Sequence, residues 1–387
     1  MRKLKRSLLF VALALLVPVS IGAYDVNEKL SIEMLGTGVS QYGAFDETDN
    51  NIGDTGRGAF VVDLGANFHP TDVDEFNALI SFAAGNALNK VAEEAGFTLA
   101  PYFDNLEDDL KNINGRDRDY LLTAWYKHTF AVGKESFLGV TGGLIDSTDY
   151  LDDNAFANDE NFQFMNEVFV NSPVANLPLY DVGAAAEFEW GDWHVRGVWM
   201  NSKTDEVFDK GGPNEAESNR SYNYVGGQVG FRVETDLGEG NYRVYGYATT
   251  REFISREVTS RSDLKRLGGI GISADQALSQ TVGLFARLGW QEDDAEKVNH
   301  KAAYSGGLKV SGKLWRRGDD NAGLGFAYLD GADGSDLRKT LAFEGYARFQ
   351  LIEYVDLSFD VQWLKEDRNR GNDPTAWILS GRLNAYF

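Results

Sequence analysis

Four histidines, His69, His128, His194 and His300, are the side chains best suited to proton transfer or metal ligation near neutral pH. None sits in a spacing such as His-Glu-x-x-His, which would place two imidazoles on one helix face around a metal. The chain has no cysteine, so thiol catalysis and disulfides are excluded. No nucleophile with a neighbouring base is visible, and the chain does not read as an enzyme. Acidic runs at Asp104 to Asp109, Asp152 and Asp153 with Asp159 and Glu160, Asp293 and Asp294, and Asp330 to Asp336 offer oxygen ligands. Without the twelve-residue spacing of a dedicated calcium loop, they read as solvated loop charges that hold calcium loosely and share divalent ions with lipopolysaccharide. No cofactor is implied.

A second set of polar groups lies inside alternating segments. In 355–363, Val355, Leu357, Phe359, Val361 and Trp363 alternate with Asp356, Ser358, Asp360 and Gln362. In 341–351, Leu341, Phe343, Ala347, Phe349 and Leu351 alternate with Glu344, Tyr346, Arg348 and Gln350. Such a period of two is a strand with one apolar face and one polar face. Charges of both signs on a core face would be costly in a closed sandwich and are natural on the wall of a water-filled lumen. The inward set reads Glu187, Arg196, Arg232, Arg243, Arg287, Lys309, Lys313, Glu344, Arg348, Asp356, Asp360 and Arg382, with Trp125, Tyr245, Tyr247 and Trp315 as aromatic faces for sugar rings. Opposed charges of both signs orient water and neutral polar solutes, whereas a ring of one sign selects ions. The same charges also serve as salt bridges that brace the wall.

The elements that position these residues are about sixteen strands, near 30–42, 59–69, 76–85, 120–131, 136–146, 181–190, 193–201, 222–235, 241–252, 264–273, 279–292, 302–316, 322–330, 338–351, 354–365 and 376–387. Connections alternate: long polar segments such as 43–58, 86–119, 147–180 and 202–221 follow odd strands, and brief links such as 132–135, 191–192 and 352–353 follow even ones. Short turns on one side and long loops on the other define an outer-membrane barrel, all-β, antiparallel and up-and-down. About 364 residues over sixteen strands leave roughly 23 per strand and connection, room for a span of about 10; eighteen strands is the nearest other count.

Both ends agree. Arg2, Lys3, Lys5 and Arg6, the apolar run Leu8 to Val17 and Ile21-Gly22-Ala23 make residues 1–23 a secretory signal peptide, leaving 24–387 as one barrel domain. Removing the leader takes the formal charge from −22 to about −26, which excludes nucleic acid and other polyanions as partners. With 42 glycines, 7 prolines and 49 aromatics, the composition suits short strands with glycine turns. At the carboxyl end Trp377, Leu379, Leu383, Ala385 and Phe387 share one face, and Ser380, Arg382 and Asn384 the other. An exposed terminal Phe387 is the signal of a closing barrel strand, read by the barrel-assembly machinery.

The segment Gly143-Leu144-Ile145-Asp146-Ser147-Thr148-Asp149-Tyr150-Leu151-Asp152-Asp153-Asn154-Ala155-Phe156-Ala157-Asn158-Asp159-Glu160-Asn161-Phe162-Gln163-Phe164-Met165-Asn166, followed by Phe169-Val170-Asn171-Ser172-Pro173, resembles the carbohydrate-selective porin family of OprB type. There a strand ending in Gly and Asp leads into a loop rich in Asp, Asn and Phe. Leu121-Leu122-Thr123-Ala124-Trp125-Tyr126 resembles the aromatic strand that precedes this motif, and the likeness is specific over Tyr120 to Pro173. The resemblance implies a sixteen-stranded barrel, integral to the bacterial outer membrane, through which sugars diffuse passively. It implies that the loop after the fifth strand folds inward and narrows the pore. Asp146, Asp149, Asn154, Asn158 and Asn166, with Trp125, would then be the constriction groups, and Phe156, Phe162 and Phe164 would anchor the loop to the wall. A connection of about thirty residues is itself too long for a mere link. The other readings are a general or cation-preferring porin for small hydrophilic solutes, a barrel enzyme, and a plugged structural barrel. A homotrimer is the expected assembly if subunits associate.

Overall fold

The computed structural model describes residues 23–107, 109–203, 221–256, 264–296 and 298–387, with only the backbone of Ile254 and Leu264. The predicted leader, up to residue 22, and most of the predicted connection 202–221 lie outside the described residues.

Seventeen strands form one sheet. A short β1 (Tyr24–Asn27) pairs with the start of β2. The barrel itself is β2 (Leu30–Asp46), β3 (Thr55–Thr71), β4 (Asp74–Ala84), β5 (Leu121–Ala131), β6 (Ser136–Ile145), β7 (Asp181–Trp190), β8 (Trp193–Lys203), β9 (Ser221–Thr235), β10 (Gly238–Ile254), β11 (Leu264–Ala277), β12 (Val282–Gln291), β13 (His300–Ser311), β14 (Asn321–Gly331), β15 (Leu337–Ile352), β16 (Val355–Arg368) and β17 (Thr375–Tyr386). Each barrel strand pairs antiparallel with its sequence neighbour, and β17 closes on β2 from Thr375 opposite Asp46 to Tyr386 opposite Leu35. The sixteen predicted strands correspond one for one with β2 to β17. Closure leaves no unpaired edge, which is what allows a sheet to stand in hydrocarbon. Among the described residues no helix is long and apolar enough to cross a membrane.

The alternation decides which face meets lipid. Along β17, Trp377, Leu379 and Leu383 are about half exposed, while Ser380, Arg382 and Asn384 are buried inside the barrel. Phe60, Val225, Val244, Ile270, Phe326 and Phe359 continue the apolar outer band. Trp190 and Trp193, flanking the two-residue turn between β7 and β8, and Tyr354 between β15 and β16 stand exposed at the short-turn end, as interfacial aromatics do.

One strand ends earlier than its pattern. The alternation suggested 302–316, but β13 stops at Ser311, whose side chain caps a 3-10 turn over Gly312–Trp315 before Arg316 takes a left-handed φ of 66°. Lys313 and Trp315 therefore sit exposed at the short-turn end, with the Trp315 Nε1 donating to Asp320 Oδ2 at 3.0 Å, and not on the lumen wall as expected.

Candidate functional site

The lumen is occupied by two long connections. The first runs from Asp146 to Tyr180, between β6 and β7. Its entry depends on Gly143, where φ is +148° and an added Cβ would lie 2.3 Å from the Ala124 carbonyl oxygen. Asp146 then caps a short turn, accepting the Thr148 N–H at 2.9 Å, and the Ser147 hydroxyl donates to Pro178 O at 2.7 Å, tying the two ends of the segment together.

Past this neck the segment crosses the barrel, bonded to the wall at each step. Asp153 lies 3.2 Å from Arg196 of β8 and 3.0 Å from Arg243 of β10, and accepts from Gln228 Nε2 of β9 at 2.9 Å. Burial alone would raise its carboxyl, but the two guanidiniums hold it down at about 2. Arg287 of β12, 1% exposed, donates to Asp152 Oδ1 at 3.2 Å, Asp152 O at 3.0 Å, Phe169 O at 2.9 Å and Asn158 Oδ1 at 2.9 Å. Asn154 donates to Ser273 Oγ of β11 at 3.1 Å. Further on, Arg382 of β17 donates to Glu160 O and to Gln163 O, Asn384 donates to Asn161 O at 2.6 Å, and Thr37 of β2 donates to Asn161 Oδ1 at 3.1 Å. Glu344 of β15, fully buried, accepts the Met165 and Asn166 N–H groups at 2.5 and 3.0 Å. Those made by Arg196, Arg243, Arg287, Arg382 and Glu344 are charge-assisted, and in a low-dielectric setting they are individually stronger than the neutral bonds beside them.

Aromatic packing completes the anchorage. Phe164 packs edge-on against Tyr346 at 4.9 Å between ring centroids and lies 5.4 Å from Phe285. Phe162 meets Tyr386 at 5.5 Å and lies under the Arg348 guanidinium. The Phe156 ring fills the space that a Cβ on Gly283 of β12 would occupy. All three phenylalanines thus contact the wall.

The second segment, between β4 and β5, carries α1 (Asn89–Ala95) and also turns inward. Leu88, Ala92, Ala95, Phe97 and Leu99 join the main apolar cluster. Phe103 N–H donates to Met165 O at 2.8 Å and Glu167 N–H to Ala100 O at 3.2 Å, so the two segments are joined by their backbones. Thr98 is fixed to Glu366 of β16 through its N–H at 2.8 Å and its hydroxyl at 2.6 Å. The sequence reading did not place this segment in the lumen. The apolar spacing of Leu88, Ala92, Ala95 and Leu99, one helix stripe inside a polar connection, was the available signal.

The expected constriction groups divide by partner. Asn154, Asn158 and Asn166 spend side-chain bonds on the wall or the segment itself; Asn166 caps α2 (Glu167–Val170) and donates to Gln362 Oε1 at 3.1 Å. Asp146 is buried at the neck, and Asp149 is exposed to the lumen. Enclosure by the barrel raises Asp149, and Asp146 and Glu187 raise it further, against Arg196 and Lys127. Trp125 is half-buried against the cluster of Tyr150, Tyr224, Tyr245 and Tyr247. Tyr224 and Tyr247 stack at 5.4 Å, and the Tyr247 hydroxyl donates to Val174 O at 3.0 Å, so these tyrosines are committed to the protein.

Among the described residues, half of the inward set, Glu187, Arg196, Arg243, Arg287, Arg348 and Asp356, form ion pairs. Lys127 lies 2.6 Å from Glu187, Arg243 lies 2.6 Å from Asp275, and Arg348 lies 2.9 Å from Asp356. Asp360 accepts from Gln362 Nε2 at 3.1 Å. Among the described residues, Arg232 and Lys309 form no ion pair within 4.0 Å. Opposite in sign is a patch missed by the sequence reading, Asp104 with Glu160 and Asp63. Burial, then the charge of Asp63, pushes the Asp104 carboxyl up to about 7, and burial followed by Asp104 and Asp159 raises Glu160 well above the usual range. Among the described residues no three His, Asp or Glu side chains gather closely enough to hold a metal ion. The arrangement provides a polar lumen of mixed charge crossed by anchored segments.

A closed sixteen-stranded barrel with an inward-bonded loop defines an outer-membrane porin. The model of the carbohydrate-selective porin, OprB family, matches residues 59–387, and the chain belongs to that family: it is a carbohydrate-passing channel of the outer membrane. An uncharacterized protein of Aquifex aeolicus (strain VF5) is 32% identical over 311 residues, 80% of this chain and 81% of that one. The high pH structure of Pseudomonas putida OprB superposes with a TM-score of 0.73 at 15% identity, covering 93% of this chain and 94% of that one. An anion-selective porin from Comamonas acidovorans shares the fold at a TM-score of 0.52 and 9% identity, covering 93% and 100%.

Proposed function

We propose that neutral mono- or oligosaccharides pass by diffusion between the inward segment Asp146 to Tyr180 and the lumen wall, with Asp149, Trp125 and the paired charges as the groups they meet. The observation that supports this reading is the bonding of that segment to the wall by Arg287, Glu344 and Arg382, which holds a polar segment across an otherwise wide barrel. The cations that hold it, Arg196, Arg243, Arg287 and Arg382, are each matched by a carboxylate or carbonyl, which favours dipolar solutes over ions. The passage requires no cofactor and no catalytic step. The same reading carries outer-membrane lipid and lipopolysaccharide as the surroundings, a homotrimer as the assembled form, and Phe387 as the signal to the assembly machinery. The Phe387 N–H and C=O each bond to Met34 at 3.0 Å across the closing seam.

The test is single-channel current in a planar bilayer with glucose, maltose or a size-matched neutral polymer added. Block by sugar at concentrations where the polymer does nothing supports the reading. Large ohmic current, no sugar block and strong cation preference would replace it with a general porin, for which the acidic loops supply the attraction.

A further inference from the structure

At the long-loop end lies a cavity of ≈ 670 Å³ that none of the expected constriction residues lines. Its floor is the stretch Asn171 to Leu179 of the inward segment, and its sides are the ends of β10, β12 and β13 with the stretch around Thr98 and Phe103. The volume falls within the range of about 300 to 1,000 Å³ typical of small-molecule sites. Resting on the sugar-channel reading, we propose that this vestibule is a docking site for a neutral disaccharide or longer oligosaccharide, held before it reaches the constriction.

The chemistry of the lining carries the assignment. Sugars present hydroxyl groups at the rim of each ring and C–H groups on its faces, so a sugar site needs planar polar groups beside apolar surface. Phe103, half-buried, and Leu177 supply the apolar surface. Glu167 and Asn176 of the inward segment and Asn299 of the connection before β13 supply carboxylate and amide groups. Asn176 donates its amide N–H groups to Tyr247 Oη and Gln291 Oε1, both at 2.6 Å, which orients its carbonyl oxygen as an acceptor. Asn299 is exposed, and its backbone carbonyl accepts from Ala332 at 2.9 Å, holding the residue in place.

The charges argue against an ionic ligand. Glu167 is the one described carboxylate of the lining, and among the described residues it forms no ion pair. Arg251, the one described guanidinium, lies over the Tyr222 ring at 5.3 Å and the Phe253 ring at 5.1 Å. A single carboxylate and a single guanidinium engaged with aromatic faces, beside His300, whose imidazole burial keeps uncharged at neutral pH, leave a near-neutral vestibule, unlike a mouth that concentrates cations. Since the floor is the inward segment itself, a sugar released downward from the vestibule arrives beside the narrow opening.

The experiment uses the full chain, inserted in a planar bilayer in known orientation, with maltotriose added to one side at a time. Wild type is compared with Glu167→Gln and Asn299→Ala, and each binding constant from current noise is normalised to that protein's own conductance in salt. Glu167→Gln keeps shape, and Asn299→Ala trims an exposed side chain, so neither threatens the fold. Loss of a hydrogen bond to the sugar predicts roughly fivefold to tenfold weaker binding in each variant, confined to sugar added from the long-loop side. Wild-type block that both variants retain unchanged would overturn the vestibule site and leave the sugar channel standing. Weakening equal from both sides would do the same, because it would place the effect in the shared constriction. No sugar block in wild type would overturn both readings together.

Discussion

Replacing Arg287 with methionine tests whether the inward segment is the restriction. Arg287 is 1% exposed, and its four donated bonds all end on the segment, two of them on Asp152, which is itself fully buried. Methionine fills similar space without donors, so Asp152 loses its cation and keeps the hydrogen bond from the Ser172 N–H at 2.7 Å. Breaking a buried pair by removing one partner costs about 3–5 kcal/mol, and at about 1.4 kcal/mol per decade that weakens docking of this stretch by roughly two to three and a half powers of ten. The strand ladder does not pass through this side chain, so the barrel should still form and run as a heat-modifiable band. Single-channel conductance in salt should rise, and osmotic swelling of proteoliposomes should admit larger sugars. The double variant Asp152→Asn with Arg287→Met should recover part of the docking, since no charge is then left buried without its partner. A folded Arg287→Met protein with unchanged conductance and unchanged size limit would refute the reasoning, because the segment would then not be the restriction.

Three further outcomes follow from particular residues. Asp104 ionises near 7 in the folded protein and near 4 when unfolded, so the folded state binds more protons between those values; its contribution to stability is full below about 4 and lost as pH rises through 7. Cation preference from reversal potentials should climb as pH rises through about 7, where Asp104 ionises in the folded channel, and Asp104→Asn should flatten that climb; an equally steep profile in the variant would exclude Asp104 as its source. Gly143→Ala places a Cβ 2.3 Å from backbone oxygen at a φ of +148°, so the heat-modifiable folded fraction should drop, consistent with strain of about 1–3 kcal/mol, whereas the same change at Gly142, which meets nothing within 4 Å, should be tolerated. Removing Phe387 should slow insertion in cells far more than refolding in detergent, measured by the rate at which the folded band appears; equal slowing in both would make it a structural residue of the seam.

The strands were legible because lipid and water impose opposite demands on alternate residues, and the 355–363 run shows that demand without ambiguity. The roles of the loop residues were hidden for a different reason. Asn154 and Ser273, or Arg287 and Asp152, are more than a hundred positions apart, and nothing local in either sequence tells which polar group waits across the lumen. Lys313 was misplaced because Gly312-Lys313-Leu314-Trp315 keeps a strand-like alternation after Ser311 has already begun a turn. Asp104 and Glu160 read as solvated loop charges because acidic residues in a long connection normally face solvent, and only the inward fold brings them together.

The anchoring of the inward segment has a mechanical consequence. Asp153 is fastened to β8, β9 and β10, and a few residues later Glu160 to Gln163 is fastened to β17 and β2, which stand halfway round the ring from that first attachment. A hoop of strands alone flattens readily, because squeezing one diameter only lengthens the other. A crossbeam joined to both walls resists that change of shape, so lateral pressure from packed lipids bears on the beam as well as the staves, and the width of the opening is held by the same bonds that keep the cylinder round.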